Sequence, residues 1–159
     1  MSASSSEATT ILDILSPKSI KVPFEVSNKQ EAIDGLIDVL AEHGHITDPV
    51  EMKHVVWERE NQRSTGIGEG FAIPHGKSTK ISRLVLAIGV PAEPIDFDSI
   101  DGQPVKLLAL LLSPSDKIAE HIQALGRISR LMKDEDFRKT AFNTDSAQEL
   151  YDHIKGLQD

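Results

Sequence analysis

Ser64-Thr-Gly-Ile-Gly-Glu-Gly-Phe-Ala-Ile-Pro-His-Gly-Lys-Ser78 gathers Gly66, Gly68, Gly70 and Gly76 around one histidine, His75, set between Pro74 and Gly76. Glycine at this density marks backbone that approaches a ligand or turns through positive φ. Pro74 fixes its own φ and pushes Ile73 toward extended geometry. Gly76 is expected to let the chain turn straight after the histidine. An imidazole on such a turn, beside exposed backbone N–H groups, can bind an anion or accept a phosphoryl group, because it is largely neutral and nucleophilic near pH 7.

The sequence before this stretch reads as helix. Asn28 and Glu31 have the spacing of a helix-capping box, and Ile33, Leu36, Ile37 and Leu40 then recur at helical intervals until Gly44. Asp48-Pro49 opens a second helix, with an acceptor at the cap and proline in the first turn. Val50, Val55 and Trp57 are its expected apolar surface. This helix delivers Arg59 to the start of the glycine-rich stretch. Near the N-terminus, Ser16-Pro17 is expected to end the short apolar piece Ile11–Leu15, and Ile20–Val22 reads as a short edge strand before Pro23.

Beyond the glycines, Leu84–Val90 and Val105–Leu112 are continuous apolar runs, the pattern of buried strands, the second closed by Ser113-Pro114. A helix capped at Ser115 or Asp116 follows, with Ile118, Ile122, Leu125, Ile128 and Leu131 as its stripe. His121 shares the side of Ile118 and Leu125, so it is expected to point inward or into a groove. A short helix spans Glu135 to Phe142. Ser146 and Glu149 cap the last helix, which turns Leu150 and Ile154 inward. Buried strands among several helices indicate an α/β domain.

The composition narrows the function. The 159 residues suit one domain with a real core, and 39% are hydrophobic, 26% charged and 4% aromatic. The formal net charge of −8 argues against nucleic acid or an anionic membrane as partner. There is no cysteine, hence no disulfide, thiolate metal site or cysteine nucleophile. The N-terminus lacks the basic start and apolar run of a signal peptide, and no apolar stretch is long enough to span a membrane, so a cytoplasmic protein is expected.

Several side chains could carry chemistry. His75 is the candidate nucleophile. His121 is a second imidazole able to hydrogen-bond phosphate or orient the first. Arg59 offers the guanidinium fork that suits phosphoryl oxygens, with Arg63 a weaker candidate. Ser64, Thr65, and the backbone at Gly66 and Gly76 are candidate phosphate ligands. Two nucleotide-binding motifs are excluded. Gly70 to Ser78 has one residue too many between its glycines for a P-loop and carries a proline and a histidine inside it; Gly66, Gly68 and Gly70 lack dinucleotide spacing. His43, His45, His54 and His153 lack metal-ligand spacing with carboxylates, so no metal site is expected.

The run from Arg59 to Lys77, Arg-Glu-Asn-Gln-Arg-Ser-Thr-Gly-Ile-Gly-Glu-Gly-Phe-Ala-Ile-Pro-His-Gly-Lys, resembles the phosphorylation site of the fructose/mannitol-type IIA domains of the bacterial sugar phosphotransferase system. The resemblance is closest to their nitrogen-regulatory branch. It continues through Pro94–Asp101 and Pro104–Leu108 to the helix carrying His121, and so covers residues 10–157, leaving 1–9 as a disordered tail. It implies a single α/β domain with a mixed β-sheet flanked by helices on both faces. It implies that His75 is phosphorylated on its tele nitrogen (Nε2), with His121 and Arg59 beside it and no cofactor. The implied donor is a phosphocarrier of the HPr type. The implied recipient is either a set of regulated proteins or, in sugar transport, a cysteine of a IIB domain. The chain's length and lack of cysteine lean toward regulation. A IIA-like module that binds partners without turning over phosphate is the alternative from another class.

Overall fold

A computed structural model describes residues 10–157. The tail expected over 1–9 lies outside the described residues. Among those described, the chain runs α1 (Ile11–Ile14), β1 (Leu15–Phe24), α2 (Lys29–Glu42), α3 (Pro49–Gln62), β2 (Gly66–Gly68), β3 (Phe71–Ala72), β4 (His75–Ser78), β5 (Val85–Pro91), β6 (Leu107–Pro114), α4 (Ile118–Lys133), α5 (Glu135–Asn143) and α6 (Ala147–Leu157).

The strands form one mixed sheet in the order β1-β5-β6-β3-β2, with β4 also paired to β6. β5 and β6 lie antiparallel at its centre, and β1 joins β5 in parallel. β3 and β4 run parallel to successive halves of β6, so they behave as one strand interrupted at Ile73-Pro74. Alternation along the central strands builds two cores. Leu86, Ile88, Leu107, Ala109 and Leu111 face α1, α4, α5 and α6; Val85, Ala87, Leu108, Leu110 and Leu112 face α2 and α3. The expected mixed sheet with helices on both faces is therefore the observed architecture.

The caps of α2 and α3 follow the sequence closely. The Asn28 side chain accepts from Glu31 N at 2.8 Å, while the Glu31 carboxylate accepts from Ser27 N, one residue earlier than a reciprocal box requires. Asp48 accepts from Glu51 N at 3.0 Å ahead of Pro49. Gly44 leaves α2 at φ 76°.

Several local expectations are corrected. Ser16-Pro17 does not end a segment: β1 passes through both Pro17 and Pro23. It lies at the sheet edge, where a missing N–H donor costs no ladder bond. β6 ends at Pro114, so Ser113-Pro114 closes the strand as its last two residues and does not follow it. On α3, Val50 is exposed, and the buried stripe is Met52, Val56 and Glu60. On α4, neither Ser115 nor Asp116 caps the helix: Lys117 holds the cap position with no side-chain hydrogen bond. Ile118 and Ile122 point outward, and His121, Ala124, Ile128, Leu131 and Met132 are buried instead. An apolar side chain at helical spacing does not say which neighbour covers it, and here the sheet meets α4 on the His121 side.

Candidate functional site

The glycine-rich stretch is not a loop ending in a turn. It folds into β2, β3 and β4, and His75 is the first residue of β4. Gly76, expected as a turn, sits in the same strand. A Cβ there would come within 2.8 Å of Val55 Cγ1 and 3.2 Å of Val56 Cγ2. Glycine is needed because α3 packs directly on β4. Gly66 is equally confined, since a Cβ there would overlap Ser99 Oγ at 2.3 Å. The glycines thus bring α3 and the segment around Ser99 down onto the strands that hold His75.

His75 lines an open cleft of about 540 Å³ together with Arg59, Arg63, Ser64, Thr65 and Gly66. Ile67, Ile73, Ile100 and Leu125 add apolar walls. The break at Ile73-Pro74 frees the Ile73 carbonyl from the ladder toward the imidazole, and His75 Nδ1 lies 2.8 Å from that oxygen. A carbonyl can only accept, so Nδ1 carries the proton and the lone pair is left on Nε2. Burial holds His75 below the usual histidine range, the Ile73 carbonyl opposes this, and the nearby Arg59 charge lowers it further. The ring is therefore a neutral nucleophile at pH 7.

His121 adjoins it. The two ring centroids are 5.4 Å apart, with planes inclined by 57°. His121 Nδ1 is 2.7 Å from Ser113 Oγ, and both residues are buried. Burial, with the charges of His75 and Lys77, pushes His121 down to about 4. Arg59 lies in the last turn of α3, where its Nη1 donates to the Arg63 carbonyl at 2.9 Å. That bond leaves the other guanidinium N–H groups available to the cleft.

The expected phosphate ligands divide. Ser64 Oγ donates to the Phe97 carbonyl at 2.7 Å and accepts from Gly66 N at 3.0 Å. Thr65 gives its backbone N–H and its hydroxyl to the Glu60 carboxylate, at 2.9 and 2.6 Å. In this conformation Ser64, Thr65 and Gly66 shape the cleft wall with these donors engaged inside the protein. Gly76 is buried against α3 and does not line the cleft.

Glu60 has no role in the sequence reading. It is 3% exposed and also pairs with Lys29 Nζ at 3.0 Å, which in turn reaches Asp98 at 3.5 Å. This buried carboxylate ties α2, α3 and the segment after β5 to the cleft wall. Its signal was the spacing Met52, Val56, Glu60, a buried helical stripe ending in a charge. Ser113 was legible in the same way, as the polar residue that continues the inward series Leu107, Ala109, Leu111. Among the described residues, no group of three or more His, Asp or Glu gathers as a metal cage, and no helix is long and apolar enough to cross a membrane.

Fold and cleft together define a class: an α/β domain presenting a neutral, oriented imidazole beside a second imidazole and a guanidinium, the equipment for handling a phosphoryl group. The chain belongs to the EIIA 2 family of the phosphoenolpyruvate-dependent sugar phosphotransferase system, whose sequence profile matches residues 13–156. It is 38% identical over 143 residues to the nitrogen regulatory protein of Bradyrhizobium diazoefficiens, covering 89% of this chain and 92% of that one. It is 34% identical over 144 residues to the fructose-specific EIIABC component of Bacillus subtilis, spanning 91% of this chain but 23% of that longer protein. The crystal structure of nitrogen regulatory protein IIA-Ntr from Neisseria meningitidis superposes with a TM-score of 0.82 at 27% identity, over 89% of this chain and 97% of that one.

Proposed function

We propose that this phosphotransferase-system component carries its phosphoryl group on His75 Nε2, received from a phosphohistidine carrier of the HPr type. The observation that carries this reading is the commitment of His75 Nδ1–H to the Ile73 carbonyl, which leaves the lone pair on Nε2 of a ring that lines the cleft. In the transfer, that lone pair forms a bond to phosphorus while the bond from phosphorus to the donor's ring nitrogen breaks. The bonding pair returns to the donor imidazole, which leaves neutral. The His75 ring gains positive charge, and the Ile73 carbonyl accepting its Nδ1–H stabilises it. No proton needs to move. Arg59 balances the charge on the phosphoryl oxygens, and His121 supplies a further hydrogen bond. Ser64, Thr65, Gly66 and Gly76 act by holding the geometry of the cleft.

The phosphorylation state then governs binding to regulated proteins. Support comes from the likeness to a nitrogen regulatory protein along nearly the whole length of both chains. The likeness to a fructose-specific component supports a second reading, passage of the phosphoryl group to a IIB cysteine. Incubation with phosphoenolpyruvate, enzyme I and HPr tests the carrier role. An acid-labile mass gain of one phosphoryl group is expected, absent in His75→Ala with its circular dichroism unchanged. Failure to take up phosphate while HPr is charged would leave a binding module without turnover. Loss of the label to a purified IIB protein would favour transport over regulation.

A further inference from the structure

The parallel register of β4 and β6 pairs His75 with Leu111 and Lys77 with Ser113. Side chains two apart share a face, so His75 and Ser113 both lie on the α4 side of the sheet. α4 places His121 between them: its Nδ1 meets Ser113 Oγ at 2.7 Å, and its ring adjoins that of His75. A serine hydroxyl can donate or accept, so this bond can be written with the proton on either partner. The burial decides which. Ser113 is 0% exposed, and His121 Nδ1 is the one hydrogen-bond partner of its hydroxyl among the described residues. If Nδ1 carried the proton, the Ser113 O–H would be left buried without an acceptor, at a cost of about 1–3 kcal/mol. With Ser113 donating, the hydroxyl proton and the Nδ1 lone pair are both satisfied.

We infer that Ser113 is a positioning residue of the phosphoryl-transfer site: its hydroxyl donates to His121 Nδ1 and keeps the ring proton on Nε2, where it serves as a neutral donor beside His75. The inference rests on the phosphocarrier reading. The two imidazoles are then held in opposite tautomers, one by a carbonyl and one by a hydroxyl. His75 keeps its proton on Nδ1 and attacks through Nε2; His121 accepts at Nδ1 and donates through Nε2. Two neutral rings fixed in this way meet a phosphoryl group as one nucleophile and one donor, with no competition for the same proton. The depressed basicity of His121 agrees, since a ring that stays neutral can donate only through the nitrogen that holds its proton.

Long-range 1H–15N NMR of the whole protein at pH 7 reads the tautomer of each histidine directly. The expected wild-type spectrum shows His121 protonated at Nε2 and bare at Nδ1. Ser113→Ala is expected to bring signals of both His121 tautomers and to slow phosphorylation by charged HPr about tenfold, the worth of one hydrogen bond in the transition state. Ser113→Thr, which keeps the hydroxyl, is expected to restore both. A wild-type His121 protonated at Nδ1 would overturn the inference, and that spectrum decides the matter even if the alanine variant does not fold. An alanine variant with unchanged tautomer, or with unchanged rate, would overturn it as well. Wild-type protein that takes no phosphate from charged HPr would instead overturn the carrier reading, whatever tautomer His121 shows.

Discussion

At His75 a single carbonyl decides which ring nitrogen keeps its lone pair. Ile73 O fixes the proton on Nδ1, and burial keeps the ring from taking a second one. Because His75 titrates below the usual 6.5, its neutral form persists as pH falls through that value. The rate of phosphate uptake from charged HPr should therefore stay level from pH 8 to 6.5 and fall only at lower pH. A rate that halves at or above 6.5 would show an ordinary exposed imidazole. In the proposed transfer Arg59 acts on charge that grows on the phosphoryl oxygens, and its hydrogen bond to the Arg63 carbonyl is exposed. Arg59→Ala is expected to slow uptake about 100-fold while changing unfolding free energy by less than about 0.5 kcal/mol. Stopped-flow phosphorylation and urea titration measure the two effects separately.

Among the elements, α3 matters most to the cleft, because it supplies the half-buried Arg59 to the lining and the buried Glu60 behind it. Glu60 holds both donors of Thr65 and pairs with Lys29. Glu60→Ala leaves those groups uncompensated and is expected to cost about 3 kcal/mol in urea unfolding, with slowed phosphate uptake. A loss below about 1 kcal/mol would mean the network is replaced by water. The contact of α3 with β4 is equally tight at Gly76, where Gly76→Ala is expected to destabilise by about 1–3 kcal/mol as Val55 and Val56 are forced to shift. Caps and central strands were legible because their signals are local: Asn28, Asp48 and the apolar run through Leu112 need no knowledge of neighbours. The strand character of the glycine-rich stretch was not, because β2, β3 and β4 are short and exist through pairing with one another and with β6, which lies far along the chain. The outward turn of Ile118 and Ile122 was hidden for a related reason: helical periodicity marks a stripe, and only the docked sheet decides which flank of it is covered.

For the molecule as a whole, the neutral pair of histidines links function to stability. His121 has a folded value of about 4 against 6.5 when unfolded, so the unfolded chain binds the extra proton first. The stabilisation from keeping His121 neutral is full above pH 6.5 and is lost progressively as pH falls toward 4. His121→Gln should flatten that acid limb in urea titrations across the same window; an unchanged limb would place the acid sensitivity elsewhere. The two cores explain how such a site can be kept. On one side α3 packs on β4 at Gly76, and on the other α4 brings the His121 ring beside that of His75, so β4 is held between the two helical layers. Fold class and the grouping of Arg59, His75 and His121 were readable from the chain; Glu60 and Ser113 left a periodicity signal there, and their partners came only with the folded sheet.

In the proposed function one defined nitrogen of one histidine, His75 Nε2, carries the phosphoryl group. The most direct measurement is long-range 1H–15N and phosphorus NMR of the protein charged with phosphoenolpyruvate, enzyme I and HPr. Phosphorus bonded to Nε2 of His75, with Nδ1 still protonated, is the predicted result. Phosphorus on Nδ1 of His75 or on any other residue would contradict it.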